Sequence, residues 1–252
     1  MEGILFENER LDEVNDKLRL IQKTDGLTFG TDALLLAAFI GKKGKRALEL
    51  GGGSGIISML LSARERFEHI TCAEVQAEYA ELIKRNIALN SLSKKMTVLC
   101  ADIRDTSRLG DAGSFDAVFS NPPYMTAECG ALCTHDAKSI ARHELFGGIR
   151  DFARAASQML KFGGRFYCVY RTDRLVDCLS ALREYRLEPK RMTFVHARPS
   201  LSPSMVLTEA RLGGKSDLRV TRPLVLSHEN GEQSFDYSYL LENGILPKDF
   251  LL

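Results

Sequence analysis

The segment Leu48-Glu49-Leu50-Gly51-Gly52-Gly53-Ser54-Gly55 sets a glycine cluster between a short apolar run and the helical pattern of Ile56–Ala63. Glycine permits a tight turn and lets a ligand approach the backbone at the N-terminus of a helix, where N–H groups point outward. Gly51, Gly53 and Gly55 fit the pattern G-x-G-x-G, whereas a dinucleotide fingerprint needs its third glycine one residue later. The segment therefore predicts a ligand site between a strand and a helix, and its spacing disfavours a nicotinamide or flavin ligand.

From residue 46 onward, short apolar or β-branched runs alternate with helical patterns. Strands are predicted at Arg46–Leu50, His69–Val75, Met96–Cys100, Phe115–Ser120, Gly164–Tyr170, Arg191–His196 and Met205–Leu212. Helices are predicted at Ile56–Ala63, Ala77–Asn90, Phe146–Leu160 and Asp173–Tyr185. Right-handed crossovers between parallel strands put helices on both faces of a sheet. The series predicts an α/β fold with a Rossmann-like, mostly parallel sheet, an antiparallel C-terminal hairpin and helices on both faces.

A chain of 252 residues fits one α/β domain. We expect three parts in it: an N-terminal hairpin and helix cover, a catalytic core and a C-terminal tail, at residues 1–45, 46–212 and 213–252. Within the cover, Asp25-Gly26 predicts a hairpin turn, and Thr31 predicts the cap of a helix from Asp32 to about Ile40. Residues 125–144 follow the fourth core strand without clear periodicity, which predicts a long loop at the functional edge.

The composition, 44% apolar and 27% charged residues, excludes disordered, collagen-like and fibrous proteins. The 34 basic and 33 acidic side chains leave a net charge of +1, so a nucleic-acid partner would need local basic patches. We expect a cytoplasmic protein without a membrane segment, because the N-terminus lacks targeting features and the longest apolar run, Ala33–Ile40, is too short to span a bilayer. We expect reduced cysteines and no metal, because Cys129, Cys133 and His135 supply too few ligands for a structural zinc site.

Acidic residues mark the ends of the first three core strands, where ligands of open α/β sheets bind. Glu49 is unsuited to a pyrophosphate and suits a cation, such as the ammonium group of an amino acid. Glu74 can accept both hydroxyls of a ribose, which alone does not separate a dinucleotide from an adenosyl ligand. Asp102 can accept a hydrogen bond from an adenine amine. Together with Gly51 and Gly53, these acids predict a pocket for an adenosyl group with a charged amino-acid tail.

The motif Asn121-Pro122-Pro123-Tyr124 follows the fourth strand. Its prolines fix the backbone and remove two donors, so carbonyl groups and the Asn121 amide remain at a rigid rim. The side-chain oxygen of Asn121 and the carbonyl of Pro122 can accept the hydrogens of a planar NH2 group, which favours a pyramidal, nucleophilic nitrogen. The ring of Tyr124 can stack on the substrate, a contact worth about 1–3 kcal/mol for a base. We predict Asn121, Pro122 and Tyr124 as catalytic residues.

These motifs resemble those of class I S-adenosylmethionine-dependent methyltransferases with an Asn-Pro-Pro-Tyr motif, which modify planar NH2 groups. Three further stretches, Arg10-Leu11-Asp12, Asp25–Leu36 and Ala141-Arg142-His143-Glu144, are similar to bacterial tRNA adenine-N6 methyltransferases that act on the adenosine 3′ of the valine tRNA anticodon. The resemblance spans approximately residues 8–212. It implies a class I methyltransferase sheet, S-adenosylmethionine as cofactor and tRNA as substrate.

The resemblance also implies roles for single residues. Thr31 is expected near the methionine end of the cofactor, and Asn121 at both the cofactor and the target. The complete predicted cofactor set is Thr31, Glu49, Gly51, Gly53, Glu74, Asp102 and Asn121. Other members of the group, acting on guanine N2 in rRNA, adenine N6 in DNA or glutamine N5 in a protein, remain alternatives. A binding module without catalysis and a dinucleotide enzyme are less consistent with the intact Asn121–Tyr124 motif.

The sequence offers several basic patches that could hold RNA phosphates. They are Lys42-Lys43-x-Lys45-Arg46, Lys94-Lys95, and the group Arg183, Arg186, Lys190 and Arg191. Each patch is equally consistent with a solvated surface. We expect a monomer or a weak homodimer.

Overall fold

The computed structural model describes residues 5–24, 29–123 and 147–251. Its N-terminal part is an antiparallel hairpin of β1 (Glu9–Asn15) and β2 (Leu18–Lys23). The side-chain oxygen of Asn15 accepts the backbone N–H of Lys17 at 2.9 Å, which stabilises the turn between the strands. The structure thus places an N-terminal hairpin at residues 9–23, and the turn predicted at Asp25-Gly26 lies outside the described residues.

In the described residues, nine strands form the central sheet. They are β3 (Gly44–Leu50), β4 (Phe67–Glu74), β5 (Met96–Cys100), β6 (Phe115–Ser120), β7 (Leu160–Arg171), β8 (Leu187–His196), β9 (Met205–Leu212), β10 (Arg219–Val220) and β11 (Leu224–Val225). The order is β10-β8-β9-β7-β6-β3-β4-β5, and β11 also pairs with β8. Strands β3 to β7 run parallel, and β9 runs antiparallel to both β7 and β8. The predicted mostly parallel sheet with an antiparallel hairpin is confirmed.

Helices cover both faces of this sheet, as predicted. They are α1 (Thr31–Phe39), α2 (Ile56–Ala63), α3 (Ala77–Leu89), α4 (Ile149–Met159), α5 (Leu175–Glu184) and α6 (Phe235–Asn243). Apolar residues of α1, α2, α3 and α6 contribute to one large core cluster, and those of α4 and α5 to a second. Val118 and Phe119, successive residues of β6, belong to opposite clusters, because side chains of a strand alternate between its faces.

The sheet reverses its strand order between β3 and β6. From β3 the chain proceeds outward through β4 and β5, whereas β6 lies on the other side of β3 and leads outward to β7. A crevice opens at such a reversal, beyond the carboxyl ends of the strands, because the crossover connections diverge there. The fold therefore predicts a ligand site beyond Leu50 and Ser120.

Helix α1 begins beside this crevice. Gly30 occupies the N-cap position in extended conformation, and Thr31 is the first helical residue without a side-chain capping bond. The prediction of Thr31 as the cap was wrong, because the carboxylate of Asp32 satisfies the N–H of Ala33 at 2.9 Å instead.

The C-terminal segment predicted as a tail is part of the folded core. It adds two short strands beside β8, and Leu240 and Phe250 are buried in the cluster that contains α1 and α2. Arg222 fixes it by ion pairs to Asp236 and to Asp249 (2.7 Å). Periodicity gave no signal for β10 and β11, because two residues cannot show an alternation.

Candidate active site

A cavity of about 380 Å³ lies at the strand-order reversal, within the range of roughly 300–1,000 Å³ typical of small-molecule sites. Its wall combines the start of α1, the glycine loop, the ends of four strands and one side chain of α4. Described residues on it are Phe29, Gly30, Asp32, Ala33, Glu49, Gly51, Gly52, Gly53, Ser54, Ile56, Ile57, Glu74, Val75, Gln76, Asp102, Ile103, Asn121, Pro122, Pro123 and Phe152.

The predicted site residues gather at this cavity with two exceptions. Glu49, Gly51, Gly53, Glu74, Asp102, Asn121 and Pro122 all lie on its wall. Thr31 does not, although its neighbours Gly30 and Asp32 do. Tyr124 lies outside the described residues, so its stacking role stays a prediction.

The glycine loop has the backbone that its pattern requires. Gly51, Gly53 and Gly55 have φ angles of +74°, +55° and +80°, a region that favours glycine strongly. Position 52 requires glycine for a steric reason. A Cβ there would overlap the Sγ of Cys72 and lie 3.0 Å from the Cδ1 of Ile83. The sequence offered no signal for Gly52, because the constraint comes from side chains of β4 and α3.

Glu74, at the end of β4, holds the loop in place. One carboxylate oxygen accepts the N–H of Gly53 and the other accepts the N–H of Gln76, both at 2.9 Å. The side chain is buried, and this burial raises its pKa although both hydrogen bonds act in the opposite direction. Each oxygen retains acceptor capacity toward the cavity, which suits a ligand with neighbouring hydroxyl groups.

Glu49 is buried beneath the loop with 1% of its surface exposed. Its Oε2 accepts hydrogen bonds from the hydroxyl and the N–H of Ser58, and from the thiol of Cys72 at 3.4 Å. Burial raises the pKa of Glu49 to about 7, a rise that these donors partly oppose. A buried carboxyl with this pKa gains its charge most easily when a cation binds beside it.

The pKa of Asp102, at the other end of the cavity, is shifted in the opposite direction to that of Glu49. Both of its oxygens accept from the guanidinium of Arg104, at 2.6–3.0 Å, and its Oδ1 also accepts the backbone N–H of Arg104. These bonds hold the pKa of Asp102 below its ordinary value. Asp102 therefore ionises more readily than an ordinary aspartate, and Ile103 beside it supplies apolar wall.

Asn121 and Pro122 form the rim next to β6. The Nδ2 group of Asn121 donates to the Oδ2 of Asp32 at 2.8 Å, across 89 residues of sequence. The hydroxyl of Ser120, the last residue of β6, donates to the carbonyl of Leu50 at 2.7 Å and fixes the start of the rim. The Asn121 amide therefore has a defined orientation at the edge of the cavity.

Sequence reasoning missed several residues of the wall, Asp32, Ile103 and Phe152 among them. Asp32 contacts Asn121, and Ile103 and Phe152 give the cavity apolar surface. The Phe152 ring lies 3.4 Å from the position a Cβ on Gly51 would take. The neighbouring acids carry a signal by ending strands, but Asp32 and Phe152 belong to helices that reach the site only through the tertiary fold.

The basic patches predicted to hold RNA lie away from the cavity. Lys43 and Lys45 stand at the start of β3, and Lys95 precedes β5, so they lie at the sheet edge opposite the carboxyl ends. Lys95 is paired with Glu65 at 2.9 Å. Arg191 is buried and paired with Glu209 at 2.7 Å, so its assignment to a surface patch was wrong.

Three further features concern the described residues alone. None of their helices is long and apolar enough to cross a membrane. Across residues 5–24, 29–123 and 147–251, no group of three or more His, Cys, Asp or Glu side chains is arranged to hold a metal ion. Cys72, Cys100, Cys168 and Cys178 are free thiols, and Cys100 is exposed.

Comparison with known proteins agrees with this arrangement. Residues 23–185 match the family model "Methyltransferase small domain". A tRNA1(Val) (adenine(37)-N6)-methyltransferase of Porphyromonas gingivalis is 29% identical over 222 residues, covering 84% of this chain and 86% of that protein. The Aeromonas hydrophila protein of the same name is 28% identical, covering 84% and 87%.

A solved structure is also similar. The crystal structure of a protein from Agrobacterium tumefaciens, described as a predicted O-methyltransferase, superposes with a TM-score of 0.69 at 25% identity. The alignment covers 85% of this chain and 96% of that one. Since the family match takes in more than half of the chain, including the glycine loop and Asn121–Tyr124, the chain belongs to the methyltransferase small domain family.

Proposed function

We propose that this protein transfers a methyl group from S-adenosylmethionine to N6 of an adenosine in tRNA, immediately 3′ of the valine tRNA anticodon. The observation that carries the proposal is a shared cavity: Asn121 and Pro122, acceptors for a planar amine, face the same space as Glu74 and Asp102, acceptors for an adenosyl group. The names of the Porphyromonas and Aeromonas relatives support this substrate. Such a reaction belongs in the cytoplasm, where tRNA is found.

The cavity fits S-adenosylmethionine in shape and charge. A Cβ on Gly53 would meet nothing within 4 Å, so the loop backbone is open to a ligand. Glu74 suits the ribose hydroxyls, and Asp102 with Ile103 offers the adenine an acceptor beside apolar surface. Glu49 gives the buried end a carboxyl whose charge a cationic amino-acid tail would stabilise.

The chain's own residues provide orientation and an electrostatic environment. When bound, S-adenosylmethionine supplies a methyl group on a positively charged sulfur, which departs with the bonding electrons as a neutral thioether. The adenosine N6 forms the new N–C bond with its lone pair, and Asn121 Oδ1 and the Pro122 carbonyl favour that geometry by accepting its two hydrogens. N6 becomes acidic only after the bond has formed, so it then loses one proton to water without a strong base. Alignment of the reactants is the main contribution of the enzyme.

The target adenosine must leave its stack to reach Asn121, which costs less in an anticodon loop than in a duplex. The connection between β8 and β9 lies at the same sheet edge as the cavity, because Met205 pairs with both Arg171 at the end of β7 and Val195 near the end of β8. At about 4.8 Å per strand, this connection begins about 14 Å from β6. It carries Arg198, which is exposed and lies near the carboxylate of Glu229. Arg198 is therefore suited to a phosphate near the target base.

Transfer of labelled methyl from S-adenosylmethionine tests the proposal. We expect incorporation into an unmodified valine tRNA transcript and its loss when the adenosine 3′ of the anticodon is changed to guanosine. Asn121→Ala is the control, because it should retain cofactor affinity in calorimetry while losing transfer. Labelling of rRNA, DNA or protein in place of tRNA would move the assignment to the guanine, DNA-adenine or glutamine alternatives.

A further inference from the structure

Asp32 connects the start of α1 to the rim that holds the substrate amine. Its Oδ1 accepts the N–H of Ala33 at 2.9 Å, in the first turn of α1, and its Oδ2 accepts the Nδ2–H of Asn121 at 2.8 Å. The side chain is half-buried and lies on the cavity wall. The helix thus holds one carboxylate oxygen while the other is directed at Asn121.

This contact determines which end of the Asn121 amide faces Asp32. An ionised carboxylate only accepts hydrogen bonds, so it can be approached by the Nδ2 group but not by Oδ1. Oδ1 is consequently turned away from Asp32. A flipped amide would present NH2 to a substrate NH2, two groups that both donate, and would hold the substrate nitrogen poorly.

We propose that Asp32 is a positioning residue that fixes the Asn121 amide with Nδ2 toward Asp32 and Oδ1 toward the reacting nitrogen. The inference rests on the proposed function, since it assigns Asn121 to the substrate amine. Asp32 also places a negative charge one amide group away from that nitrogen. As N6 forms its bond to the methyl carbon and the sulfur leaves with the electron pair, positive charge moves onto N6, where this carboxylate stabilises it. The proton then leaves N6 to water.

Asp32 also lies in the first turn of α1, where an acid can stabilise the helix without any role in catalysis. Carboxylates in the first turn of a helix stabilise it through the helix dipole, whatever lies nearby. Asp177 provides a matched control, since it lies in the first turn of α5, which covers the other face of the sheet. A role confined to the helix would make the Asp32 and Asp177 variants equivalent in catalysis.

The decisive variant is Asp32→Asn, which retains an acceptor for Ala33 and removes the charge that orients Asn121. We expect kcat for tRNA methylation to fall about 10- to 100-fold, the range associated with misplaced catalytic groups, while KM for tRNA and Kd for the cofactor change less than about twofold. Asp177→Asn should leave kcat unchanged. In the Asn121→Ala background, Asp32→Asn should cost nothing further, because its effect passes through Asn121.

A second readout needs no substrate. With asparagine-specific ¹⁵N labelling, the Asn121 side-chain signal is identified by its loss in Asn121→Ala, and we expect slowed proton exchange that Asp32→Ala abolishes. Unchanged kcat in Asp32→Asn, or equal losses with and without Asn121, would overturn the positioning role. If the wild-type protein methylates no adenosine, the proposed function fails instead, and the NMR measurement still decides whether Asp32 orients Asn121.

Discussion

Replacing Glu49 with glutamine should stabilise the protein at alkaline pH and weaken cofactor binding at the same time. Glutamine preserves the acceptor that Ser58 and Cys72 use, since its Oε1 can take the place of the Glu49 Oε2. It removes the ability to carry a buried negative charge. The thiol of Cys72 remains protonated throughout, because burial and the nearby Glu49 and Glu74 raise its pKa.

The size of the stability change follows from the pKa of Glu49, about 7 in the folded chain against an ordinary 4.5. At about 1.4 kcal/mol per pH unit, the difference corresponds to about 3 kcal/mol. Because the folded pKa is raised, the folded state holds a proton that the unfolded state has released between these two values. The contribution to stability is therefore complete below pH 4.5 and is lost as the pH rises through about 7.

Urea unfolding of wild type and Glu49→Gln between pH 4.5 and 8 measures this. The two proteins should have equal free energies of unfolding near pH 4.5, and the variant should gain up to about 3 kcal/mol at pH 8. Calorimetry with S-adenosylmethionine should show the wild-type affinity rising as the pH increases toward 7, because a cation binds the ionised carboxyl better. A difference in stability that is the same at both ends of the pH range would refute the reasoning.

Two other substitutions test the loop and the RNA edge. Gly52→Ala should cost about 1–3 kcal/mol in urea unfolding through its clash with Cys72, and an unchanged stability would contradict this. Arg198→Ala should raise KM for tRNA with kcat unchanged and lower the slope of log affinity against log salt by about 1. The exposed Lys43, at the opposite sheet edge, gives the control variant Lys43→Ala, and equal effects of the two would exclude a specific contact at Arg198.

A site residue could be predicted from the sequence when its structural constraint involves residues adjacent in the chain. Glu74 and Asp102 could be placed because strand ends meet at one edge of a parallel sheet, and the glycines because a tight turn leaves its mark in adjacent residues. Asp32 reaches Asn121 across 89 residues, so no short pattern contains both. Arg191 illustrates the reverse case: a cation that looks like surface in the sequence is buried by the strands and helix around it.

The opposite pKa shifts of Glu49 and Asp102 divide the cavity into an end that titrates and an end that does not. Arg104 holds Asp102 ionised through the physiological range, so pH acts on the adenine end only weakly. Burial raises the pKa of Glu74 as well as that of Glu49, and hydroxyl donors favour its ionised form. In Glu49→Gln, any remaining rise of cofactor affinity with pH must therefore come from Glu74. Adenosine, which lacks the amino-acid tail, should show that remaining dependence equally in wild type and variant, and a larger dependence in the wild type would mean that Glu49 acts on the nucleoside and not on the tail.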